Sequence, residues 1–141
     1  MHIAEIVAQR VFGSGLRIVR LDAVHGHMVG VLGERRLYII YTTRVLENSR
    51  AVFSADYGEM LGVRTSILVQ SYDYIVWVVN RGDRIDVYME KSHNVYKFCR
   101  ENTTIYRNRE TGEYICNYPA ALAKNIETIR MHKTLDSYKK K

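Results

Sequence analysis

The run "YDYIVWVV", residues 72–79, constrains this chain more than any other stretch. From Ile75 to Val79 every residue is β-branched or aromatic, so a strand built here has no polar face to turn toward water. It must lie inside a sheet, with strands at both its edges and a covering layer on both its faces. A chain of 141 residues with 47% hydrophobic content has enough apolar side chains for one such core in a single domain.

The flanking sequence supplies the partners. Asn80-Arg81-Gly82-Asp83 is a hairpin turn with glycine where a positive φ is wanted, and Arg84 to Met89 returns beside the central run. Upstream, Ile3, Ile6, Val7 and Val11 follow helical spacing, with Glu5 and Gln9 on one face and Gly13-Ser14-Gly15 as the stop. Leu16 to Asp22, Met28 to Leu32 and Leu37 to Thr43 then form a three-strand meander, joined through His25-Gly26-His27 and Gly33-Glu34-Arg35. Ser54 caps a helix running to Leu61, although Gly58 weakens it, and Val63 to Val69 reads equally as strand or helix. Downstream come a helix from Ser92 to Arg100 and a polar hairpin, Thr103–Arg107 with Glu113–Cys116. A last helix capped by Asn117, with Pro119 in its first turn and Leu122, Ile126 and Ile129 as its buried stripe, ends the domain. The expected fold is a single α/β domain over residues 1–132, with a mixed central β-sheet flanked by helices, and a basic tail over 133–141.

The net charge is +6, and the tail contributes four lysines against Asp136, half of that excess. A basic protein of this kind suits a polyanion such as nucleic acid, and equally a merely solvated surface. No apolar run approaches the ~18 residues of a membrane span, and the N-terminus has no signal-peptide pattern, so the expectation is a soluble, intracellular, cytoplasmic protein with no membrane partner. In a reducing compartment Cys99 and Cys116 read as two buried thiols rather than a pair. His25 and His27 lie on the same side of an extended chain, a pattern that metals use, but a polar turn is the plainer reading.

The order helix, three strands, helix, strand, with "YDYIVWVV" followed by "DRIDVYMEK", resembles the restriction-endonuclease-like (PD-(D/E)XK) superfamily, in particular its resolvase-type and intron-encoded nucleases. The resemblance runs from about Ile3 to Glu90 and is one of layout and strand phrasing. It implies a metal-dependent nuclease in which an aspartate and a Glu-x-Lys motif on neighbouring strands hold a divalent cation and orient the attacking water. Laid on that pattern, "GVLGERRLYIIYTTR" puts Gly30 at the aspartate, Ile39 at the glutamate and Tyr41 at the lysine. Glu5 matches an accessory helix position, and Thr42, Thr43 and Arg44 match the polar end of the third strand. One carboxylate does not hold a hard cation, so the resemblance implies a degenerate active site with no cofactor.

Were the protein active, with Mg²⁺ or Mn²⁺, the catalytic ligands would be Glu5, Asp22 and Glu34, with Asp56 and Glu59 as further migrated candidates. Asp73 and Asp86 read as structural, Trp77 as core, and the adjacent Glu90-Lys91 points to opposite faces of a strand. For nucleic-acid contact the candidates are Arg35, Arg36 and Arg44 at the two ends of the third strand, Arg107 and Arg109 on the late hairpin, and Tyr41 as a phenol donor or stacking ring. The expected role is a non-catalytic DNA-binding or structural protein, as a homodimer or beside a related nuclease subunit. The alternatives are a rearranged metal-dependent endonuclease and a scaffold that binds only protein.

Overall fold

In a computed structural model of the chain, which describes residues 2–22, 26–47 and 57–131, the apolar run becomes strand β6 (Tyr74–Asn80). Ile75, Trp77 and Val79 point into one core and Val76 and Val78 into the other, all buried. Among the described residues β6 is the fourth of six strands, in the order β1-β2-β3-β6-β7-β10. The meander consists of β1 (Leu16–Asp22), β2 (His27–Leu32) and β3 (Arg35–Thr42). Every neighbouring pair is antiparallel except β3 and β6, which makes the sheet mixed. Helix α1 (Ile3–Phe12) covers the face that carries Val76 and Val78.

A parallel β3–β6 pair requires the chain to leave the sheet and return. The excursion builds β4 (Leu46–Glu47), β5 (Glu59–Arg64) and the four-residue helix α2 (Thr65–Leu68). After the return strand β7 (Arg84–Lys91) come α3 (Ser92–Glu101), β8 (Ile105–Arg107) and β9 (Tyr114–Pro119). A second, antiparallel sheet has the order β4-β5-β9-β8, and with α2 and α3 it covers the Trp77 face. The molecule is one domain of mixed α/β type, with helix on one face of the main sheet and largely a second sheet on the other. The expectation of helices on both faces is corrected to that extent.

Three local expectations change. The helix proposed from Ser54 to Leu61 begins outside the described residues, and Glu59, Met60 and Leu61 open β5 instead. Gly58 there has φ 73°, which a right-handed helix excludes, and the backbone of β5 finds its partner in β9. The last helix is absent: Asn117 and Pro119 end β9, and β10 (Lys124–Arg130) pairs with β7. Leu122, Ile126 and Ile129 suit a helical stripe, but the open edge of β7 offers hydrogen bonds to the whole segment, and Leu122 stays exposed. Cys99 and Cys116 are joined in a disulfide that ties α3 to β9. Both are fully buried in the Trp77-side core, and this bond runs against the reducing compartment expected from the sequence. Among the described residues no helix is long and apolar enough to cross a membrane. The basic tail, His25, Asp56 and the Ser54 cap lie outside the described residues.

Candidate functional site

On the α1 face, the positions matching the nuclease signature are filled by core. Ile39 is 0% exposed among Leu16, Met28 and Leu37. A Cβ added at Gly30 would lie 2.8 Å from Leu16 Cδ1 and 3.3 Å from Ile39 Cδ1, so an aspartate has no room without displacing apolar side chains. The Tyr41 ring stands edge-on to His2 with centroids 4.7 Å apart, and its hydroxyl accepts a hydrogen bond from Asn80 Nδ2 at 3.0 Å. His2 in turn caps α1 by accepting from Ala4 N at 3.0 Å.

Of the acids of the alternative catalytic set, Asp22 and Glu34 stand at opposite ends of the meander. Glu5 sits in the first turn of α1, where a carboxylate opposes the positive end of the helix dipole. Asp22 ends β1 opposite His27, and its side chain lies outside the described residues. Glu34 is exposed in the β2–β3 turn at the other end of the meander; the six residues of β2 separate the two ends by about 20 Å. Glu59 is engaged elsewhere, receiving Arg81 Nη2 at 2.8 Å in a network where Arg81 Nε also donates to Asp86 Oδ2 at 2.6 Å and Thr128 Oγ1 to Asp86 Oδ1 at 2.7 Å. Burial opposes the Asp86 charge, but hydrogen bonds from Thr128, Arg81 and Arg84 outweigh it and hold its pKa below the ordinary aspartate value. Among the described residues no three His, Cys, Asp or Glu side chains group as metal ligands.

The arginines divide by location. Arg35 and Arg36 stand at the start of β3, whose eight residues span about 25 Å, while Arg44 follows its other end. Arg36 is held locally: its amide donates to Asp73 Oδ2 at 2.8 Å, its Nη1 to Ser71 Oγ at 2.7 Å, and its guanidinium lies 4.8 Å from the Tyr72 ring centre. Arg35 approaches the same Asp73 at 3.9 Å. Arg107 lies opposite Tyr114 in the β8–β9 ladder and Arg109 in the exposed turn beyond it. These five arginines form no single patch.

What the fold does create is a cleft between the end of the main sheet where β2 begins and β3 finishes and the face of β5-β9-β8 that carries Gly62, Ile115 and Tyr106. One lobe, of about 470 Å³, is lined by Thr42, Arg44, Met60 and Trp77 among others. An adjoining lobe, of about 290 Å³, is lined by Tyr38, Arg64, Asn108 and Glu113. His27, Ile40, Gly62, Tyr106 and Ile115 line both. The floor is apolar and well ordered, since Trp77 Nε1 donates to Gly62 O at 3.0 Å, which locks the two sheets together there.

The walls and rim of the cleft carry its polar groups. Arg44 is exposed, with Thr42 Oγ1 bridging its backbone at 2.7 Å and 3.1 Å. Arg64 reaches from β5 to Tyr38 Oη at 3.1 Å and Glu113 Oε1 at 3.3 Å. Burial opposes the Arg64 charge, but these two partners more than offset it and raise its pKa. Tyr106 pairs with Ile115 and is 39% exposed. Of the residues named from sequence for nucleic acid, Arg44 and Tyr41 border this cleft. Tyr106, Arg64 and His27 were missed. The available signal was the hairpin register, which puts Tyr106 on the opposite face from Arg107.

No family model matches the chain, and no curated protein matches it. A solved structure described as the crystal structure of MepB is similar at 10% sequence identity with a TM-score of 0.40, over 99% of this chain and 92% of that one.

Proposed function

We propose that the protein is a non-catalytic nucleic-acid-binding protein that takes DNA at the cleft between its two sheets. The observation that carries this reading is the cleft itself, where an apolar floor is rimmed by Arg44 and Arg64 and walled by Tyr106 and His27. Guanidinium groups suit phosphate oxygens, and aromatic and apolar walls suit the flat faces of bases. A net charge of +6 adds a favourable long-range field. The non-catalytic half is supported by the apolar packing of Gly30 and Ile39, where the resemblance to the nuclease superfamily would need acids.

The test is retardation of labelled DNA, single-stranded and duplex, and nicking of supercoiled plasmid, with and without Mn²⁺ across a salt series. Retardation that weakens linearly in log salt without cleavage is the expected result. Metal-dependent nicking abolished by Glu5→Ala would overturn the non-catalytic reading. Absence of retardation at low salt would leave a protein-only scaffold as the function.

A further inference from the structure

We infer that the occupant of the cleft is an unpaired strand, with a base lying against Tyr106. This rests on the nucleic-acid reading above and specifies its ligand.

The chemistry of the lining separates the two forms of DNA. A duplex presents phosphates outside and buries its base faces in the stack, so it offers a protein charge and groove edges. A cleft that met a duplex would gain little from an apolar floor. Here the recess is lined by Val45, Leu46, Tyr106 and Ile115, which keep apolar surface partly exposed in front of buried core side chains, and its volume falls in the range of small-ligand sites. An apolar recess gains from a flat apolar group able to enter it, and only an unpaired nucleotide has a base face free to do so. Arg44, after β3, is exposed in the lining of the first lobe, while Arg64 on β5 lines the second and is paired there with Glu113, so a backbone outside the recess meets the Arg44 cation.

Tyr106 is the residue placed to stack. It lines both lobes, and its partial exposure on a three-residue edge strand leaves ring surface for a ligand. Tyr114, the other exposed tyrosine of the hairpin, alternates with Ile115 and lies on the opposite face of the sheet. It is therefore an internal control with the same chemistry and a greater exposure, on the face away from the cleft.

The experiment uses the full chain and a mixed-sequence DNA 20-mer, offered as single strand and as duplex at low salt. Binding is read by anisotropy of an end-labelled probe, and by its displacement with unlabelled competitor. The single strand is expected to bind about tenfold more tightly than the duplex, and Tyr106→Leu to lose about tenfold in affinity. Tyr106→Phe and Tyr114→Leu should both retain it. Equal or tighter duplex binding, or full affinity in Tyr106→Leu, would overturn the unpaired-strand inference while salt-sensitive binding kept the broader reading intact. No binding of either DNA would overturn both. Thymidine monophosphate displacing the labelled probe as effectively as the unlabelled strand, at equal nucleotide concentration, would make the occupant a free nucleotide and overturn the strand.

Discussion

At the scale of single residues, two guanidiniums on one strand face different tasks. Arg36 at the start of β3 is spent on Ser71 and the Tyr72 ring, whereas Arg44 beyond its end stands at the rim of an apolar cleft. On the proposed DNA-binding reading Arg44 holds a phosphate and its replacement removes one released counterion, so Arg44→Ala should weaken DNA binding and reduce the slope of log affinity against log salt by about one. Arg36→Ala should leave the slope unchanged, and a salt titration of the two variants side by side decides it. Gly30 gives a second expectation. With Leu16 Cδ1 at 2.8 Å from any added Cβ and no cation to pair with in an apolar surrounding, Gly30→Asp should destabilise the fold by about 3 kcal/mol, read from the midpoint of urea unfolding.

At the scale of elements, the Arg81 network joins the start of β5 to β7 and β10 through Glu59, Asp86 and Thr128. Asp86 is 5% exposed, and deleting one partner of a buried ion pair strands the other, so Asp86→Ala should cost about 3 kcal/mol. The same carboxylate sets a pH dependence. Its folded pKa lies below the unfolded value, so the unfolded chain binds the proton more tightly and the stabilisation is fully present above the ordinary aspartate value of about 3.9. It is lost as pH falls through the depressed folded value, and thermal unfolding from pH 5 to pH 2 should show a drop that Asp86→Ala flattens. The disulfide is a further element-level staple: with a sequence separation of 17 between its cysteines, Cys99→Ser should lower stability by about 3 kcal/mol in non-reducing denaturation.

Elements also differ in how plainly they could be read. The central strand was legible because its signal is local: a β-branched run with no polar face has one solution. The meander and both hairpins were legible for the same reason, through alternation and turn glycines. β5 and β10 were not, since the segments that build them carry spacings compatible with either periodicity, and what decides them is the unpaired edge of β9 in one case and of β7 in the other. Such edges exist only after the rest has folded. The cleft was half legible. Arg44 could be named from its place after β3, but Tyr106 gains its role from a second sheet that the sequence did not announce.

At the scale of the whole molecule, two sheets of unequal size meet across one core, and the smaller sheet forms one wall of the cleft as well as covering Trp77. Trp77 and Ile40 belong to that core and lie behind the lining of the cleft. The Cys99–Cys116 link encloses the whole β8–β9 turn with its exposed Arg107 and Arg109. A trypsin cut at either arginine would open the chain yet leave both pieces in one molecule, running as a single band until reductant separates them. The wall that carries Tyr106 is in this sense fastened twice, once by its ladder to β9 and once by a covalent tether that survives the loss of chain continuity.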